Sequence, residues 1–81
     1  MMSNEALAKE LALIEGVVLA EVTGDGYHYH VLIVSDLFQG KTKVARQQWV
    51  YAQLKEHITS GRLHAVNMQT FTQDEWEKQR G

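Results

Sequence analysis

The sequence predicts an α+β fold: a three-stranded mixed sheet with helices on one face, in the order α-β-β-α-β-α. Three observations carry that expectation. Apolar residues recur at three- and four-residue spacing through 42–60, the period of an amphipathic helix. Two β-branched stretches, 17–22 and 27–34, flank Thr23-Gly24-Asp25-Gly26, and strands around a glycine-rich turn read as an antiparallel hairpin. An alternating stretch at 62–71 follows the long helix, and a strand reached through a helical crossover joins the sheet parallel, by a right-handed connection.

Each element has its own local signal. Ser3 and Asn4 are both suited to cap a first helix over 5–15, and Glu5 stands where the helix dipole favours an anion. Leu7, Leu11 and Ile14 form its apolar stripe, and Gly16 is placed to end it. In the second strand Tyr27, Tyr29, Val31 and Ile33 share one face; His28, His30, Leu32 and Val34 share the other. The Tyr29, Val31, Ile33 face is the more continuously apolar and is assigned to the helices. A polar turn over 35–40 follows, with Leu37 and Phe38 expected to be buried in it. On the long helix Val44, Gln47, Val50, Tyr51, Leu54 and Ile58 are read as one face, and Gly61 as its stop. Thr72 and Glu75 form a capping box, bracketed by Phe71 and Trp76 as a hydrophobic staple, so a short helix is expected over 73–79. The predicted core is Leu7, Leu11, Ile14, Val31, Ile33, Val50, Leu54, Ile58, Val66 and Met68.

Eighty-one residues suit a single domain, 1–81, with one modest core. No apolar run reaches membrane-spanning length, and the first residues are too polar for a signal peptide; a cytoplasmic protein is expected. There is no cysteine, which excludes disulfides, thiol nucleophiles and thiolate metal sites supplied by this chain. The net charge of −2 argues against whole-molecule affinity for nucleic acid. It is unevenly distributed. Between Lys41 and Arg62 five cations face Glu56 alone, a balance of +4, and the three cations and nine anions elsewhere give −6.

Little here supports enzymatic chemistry. GxSxG, HExxH and phosphate-cradling glycine loops are all missing, and Asp74 with Glu75 is accounted for by capping. The expectation is a protein that is not an enzyme. Lys41, Lys43 and Arg46 crowd the start of the long helix, where the dipole disfavours cations, so they and nearby Trp49 are candidates for a partner or nucleic-acid surface. Solvated lysines and a tryptophan folded over the core rim would account for the same residues. Of the four histidines, His28 and His30 point the same way along a strand, His57 lies in the last turns of the long helix, and His64 begins the third strand. Spacing alone assembles no complete metal site from them.

The segments 24–54 and 62–76 resemble the BolA family, and within it the IbaG-like branch. The pattern is Ser35-x-x-Phe38-x-Gly40-Lys41, then Val44, Val50-Tyr51, His64-Ala65 and Thr72-x-x-Glu75-Trp76. The resemblance implies a class II KH-like fold and partnership with a monothiol glutaredoxin. A [2Fe–2S] cluster would be shared between the two proteins. The glutaredoxin supplies a cysteine and bound glutathione a second thiolate; the BolA-like chain supplies imidazole. The family's near-invariant histidine matches His64 and its hairpin histidine matches His28; no role passes to His30. Mixed histidine and thiolate ligation is established for Rieske centres. Many members have Arg-His where this chain has Arg46-Gln47, a change typical of the IbaG-like branch that counts against the DNA-binding role of the better-known branch. The function expected is an adaptor in iron–sulfur cluster trafficking or iron sensing. The alternative is a nucleic-acid-binding regulator working through the basic helix start, with DNA as its partner. The isolated chain is expected to be a monomer or a weak homodimer.

Overall fold

A computed structural model describes residues 3–63 and 65–80. Its elements are α1 (Asn4–Ala12), β1 (Val17–Gly24), β2 (His28–Ser35), a 3₁₀ turn (Asp36–Phe38), α2 (Lys43–Thr59), β3 (Ala65–Phe71) and α3 (Gln73–Arg80). The sheet order is β1-β2-β3, with β1 antiparallel and β3 parallel to β2. That is the mixed sheet and the α-β-β-α-β-α order that the hairpin and the crossover dictate.

Ser3 is the residue that caps α1: its Oγ accepts the Ala6 N–H at 3.0 Å. Asn4 lies inside the first turn, and its side-chain amide donates to the Gly24 carbonyl at 3.1 Å, tying α1 to the end of β1. The helix stops at Ala12, three residues short of the expected end, and leaves Leu13 78% exposed. The hairpin turn is held by Asp25, whose Oδ1 accepts the N–H groups of Tyr27 and His28 at 2.9 and 2.8 Å. Gly24 is required beside it. At φ +143° a side chain there is strained, and its Cβ would fall 2.2 Å from the His28 carbonyl oxygen.

Tyr29, Val31 and Ile33 face α1 and α2, in one cluster with Leu7, Leu11, Val22, Phe38, Val50, Leu54 and Leu63. Ile14, Val66 and Met68 pack against its rim. Two burial expectations are corrected. The buried row of α2 is Val50, Leu54 and His57, whereas Val44, Tyr51 and Ile58 are exposed. Residues seven apart drift by only about 20° around a helix, so these three form a genuine row, but it runs to one side of the buried one. His57 takes the inner place because its Nε2 meets Glu10 Oε2 of α1 at 2.6 Å. In the 3₁₀ turn Phe38 is fully buried while Leu37 is 42% exposed, lying over Gly16.

The turn itself is fixed by Ser35, which is fully buried. Its hydroxyl donates to the Gly16 carbonyl at 2.7 Å and accepts the Leu37 N–H at 3.0 Å. Thr72 and Glu75 make the capping box reciprocally, through bonds of 2.8 and 3.2 Å. The Phe71 and Trp76 rings of the staple lie 5.5 Å apart. On the sheet face opposite the Tyr29 row, Val34 is buried between its strand partners Leu19 and Phe71.

Candidate functional site

Two regions contain the residues singled out by the sequence. The first is the open end of the sheet where β2 begins. His28 is exposed there; its Nδ1 lies 3.9 Å from Asp25 Oδ2, and its ring meets Tyr27 edge-on at 5.0 Å. The parallel register sets His28 opposite Ala65, the first residue of β3. His64 lies outside the described residues. Its described neighbours in sequence are Leu63, buried with its N–H on the His57 carbonyl at 3.2 Å, and Ala65. His30 is exposed on the same side of β2 as His28, paired with Thr23 and Asn67.

Asp25 organises this end. The two backbone N–H groups it accepts, from His28 first and then Tyr27, hold its carboxyl below the usual carboxylate range. A hairpin with glycines on both sides of Asp25 is therefore tied at its tip, and the backbone that carries His28 is set. Among the described residues no three His, Asp or Glu side chains gather around a point that could hold a metal ion. An exposed imidazole is suited to completing a site whose other ligands come from elsewhere.

The second region is the start of α2. Thr42 caps it, accepting the Ala45 N–H at 3.1 Å, and Lys41 and Lys43 stand exposed on either side. Arg46 and Trp49 are placed differently. Arg46 forks onto Glu75 of α3, with Nη1–Oε1 2.7 Å and Nη2–Oε2 3.3 Å, and its Nε donates to the Lys41 carbonyl at 3.0 Å. Its guanidinium also sits 5.9 Å from the centre of the Phe38 ring. Trp49 packs edge-on against Phe38 at 5.4 Å and belongs to the rim of the core. The free cations of the basic surface are therefore Lys41 and Lys43, joined across a groove by Lys78 of α3. Sequence reasoning missed the Arg46–Glu75 pair, because its members stand 29 positions apart.

Glu75 and Asp36 together hold α3 to the body of the protein. Arg46, followed by the Thr72 N–H, keeps the Glu75 carboxyl below its ordinary range. Asp36 is lowered likewise by the backbone N–H and then the side-chain amide of Gln73, at 3.0 and 2.9 Å. A depressed carboxylate pKa stabilises the fold above the ordinary value, and that stabilisation is lost as pH falls through the folded-state value. Acidification below about pH 4 is therefore expected to release α3 ahead of the core. The check is the Trp76 indole N–H followed by NMR. If its shift moves only together with the buried Val50 and Leu54 methyls, α3 is not held in this way.

Among the described residues no helix is long and apolar enough to cross a membrane. The profile of the family described as BolA-like protein matches residues 4–75. Acid stress protein IbaG of Escherichia coli K12 is 37% identical over 79 residues, covering 98% of this chain and 94% of its own length. A solved BolA protein homologue from Coxiella burnetii superposes with a TM-score of 0.76 at 34% identity, covering 95% of this chain and 99% of that one. The BolA domain of SufE1 from Arabidopsis thaliana superposes at 0.77 and 31% identity, covering 93% and 98%.

Proposed function

The chain belongs to the BolA family, and from that premise we propose that it is a non-enzymatic adaptor in iron–sulfur cluster trafficking or iron sensing. It binds a monothiol glutaredoxin and takes a share in a [2Fe–2S] cluster through His28 and His64. The observation that carries this reading is the environment of His28: an exposed imidazole on a hairpin tip tied by Asp25, where β2 and β3 begin side by side. With no cysteine in the chain, every thiolate on such a cluster belongs to the partner or to glutathione. The same fold occurs as a domain of SufE1 from Arabidopsis thaliana, a setting compatible with an adaptor. The test is an ultraviolet–visible and circular dichroism spectrum of this chain mixed with a cluster-loaded monothiol glutaredoxin and glutathione. An unaltered glutaredoxin spectrum would sink the reading.

Lys41 and Lys43 serve this function by steering the partner. Exposed charges act mainly on the association rate, and salt screens them. Reversing both to Glu is expected to slow association about tenfold in low salt and to make little difference near 0.5 M salt. Stopped-flow mixing with glutaredoxin measures it; a rate unmoved at low salt removes the two lysines from the interface. The second reading, a DNA-binding regulator, also rests on these two exposed lysines. It requires duplex binding with a steep salt dependence. Arg46, held by Glu75, and Trp49, packed on Phe38, supply little to it.

A further inference from the structure

We propose that the outer edge of β3 is a docking site for an extended acidic segment of a partner protein, which adds to the sheet as a fourth strand. The argument begins with a groove of ≈ 640 Å³ between the start of α2 and α3. Its floor is Met68, Gln69, Thr70 and Phe71, four residues in succession. Successive side chains of a strand point to opposite faces of the sheet. A groove lined by four in a row therefore opens on the strand's edge, where the backbone N–H and C=O groups point. Among the described residues β3 pairs with β2 only, so that edge is the boundary of the sheet.

The two edges of this sheet are treated differently. β1 carries an irregularity between Val17 and Leu19, has Glu21 in its middle, and gives the Gly24 carbonyl to Asn4. Bulges, charges and covered ends are the means by which proteins keep edge strands from pairing. β3, with the sequence AVNMQTF, has a regular register, no charge and no proline. An unguarded edge lying in a groove matches the way extended peptides are recognised, by main-chain bonds for affinity and flanking side chains for specificity.

The flanks select the charge of the occupant. Lys41, Lys43 and Arg46 line one wall and Lys78 the other, against the single carboxylate of Glu75. A second copy of this chain would bring the same lysines toward themselves and is disfavoured. Nucleic acid also carries negative charge, but single-strand binding combines a basic groove with open aromatic rings on which the bases stack. Phe71, the aromatic residue of the groove, already has its ring against Trp76. A peptide bearing Glu or Asp on alternate residues fits both the edge and its walls.

This proposal extends the partner role given to the basic surface and uses neither cluster nor glutaredoxin, so its failure is separable from failure of the cluster reading. The probe is a fluorescein-labelled ten-residue peptide alternating Glu and Val, with an analogue N-methylated on every second residue. Anisotropy is expected to show saturable binding of the first and none of the second. Combining Lys43→Glu with Lys78→Glu, in a variant whose circular dichroism is native, is expected to weaken binding at least tenfold. Amide exchange by NMR is expected to slow at least tenfold at one or more of Met68–Phe71. Several results would overturn the proposal: equal binding of the N-methylated analogue, protection confined to other residues, or no binding at millimolar peptide. So would protection of Met68–Phe71 by oligothymidine when the peptide does not bind, or concentration-dependent dimers of the free chain that occupy β3.

Discussion

The His64→Ala variant, mixed with a [2Fe–2S]-loaded monothiol glutaredoxin and glutathione, is expected to lose the nitrogen-ligated cluster signature completely. His28→Ala is expected to leave a weaker, more labile cluster. The expectation for His64 comes from the resemblance to the family, which implies that this residue is a ligand. The expectation for the second ligand comes from its surroundings. The His28 side chain is 61% exposed, so water or another hairpin side chain can approach the vacated position. Asp25 holds the backbone there whatever side chain position 28 carries, so truncation removes a ligand without dismantling the hairpin. Circular dichroism during cluster titration, with pulsed EPR detection of nitrogen, decides between the two. Unchanged spectra in His64→Ala would remove the central residue of the proposed function. Complete loss in His28→Ala, with His64→Ala only weakened, would reverse the two roles.

The fold was legible wherever its signal is local. The capping box of Thr72 and Glu75, the glycine turn at 24–26 and the Tyr29, Val31, Ile33 face are each set by residues within a few positions, and each is found as read. Failures began where a second element decides. On α2 the face read as Val44, Gln47, Val50, Tyr51, Leu54 and Ile58 keeps Val50 and Leu54 in the interior, but His57 is buried there in place of Ile58. Glu10, 47 residues from His57, makes that exchange by giving the imidazole a partner as it is buried. Arg46 was likewise read as a free cation because Glu75 becomes its neighbour only after β3 has been threaded. The site divides along the same line. Lys41, Lys43 and His28 are exposed, as the sequence suggested, while Arg46 and Trp49 are held by the interior.

Phe38→Ala is expected to cost about 3–5 kcal/mol, the usual range for truncating a buried phenylalanine to alanine. Phe38 is fully buried, and both the Trp49 ring and the Arg46 guanidinium rest on it. Its loss would leave a cavity beneath a tryptophan that cannot follow without leaving α2's rim. A domain of this size has a total stability of about 4–12 kcal/mol, so the loss is a large fraction of the total. Urea unfolding followed by tryptophan fluorescence measures the loss, with Phe38→Leu, expected to be much milder, as the control on volume. A cost under about 1 kcal/mol would mean that the turn collapses around the missing ring and is not a fixed anchor.

Leu54 is buried by packing, yet no residue of α3 is buried at all. That helix is held by two carboxylates, one guanidinium and a ring contact, and such attachments are weakened by salt and by acid, whereas apolar packing is not. The molecule is thus a mosaic of cooperative units of unequal depth, a hydrophobic body and one appended helix able to open by itself. Because α3 is also one wall beside the β3 edge, the width of that opening is expected to follow ionic conditions, while the sheet and its core remain as they are.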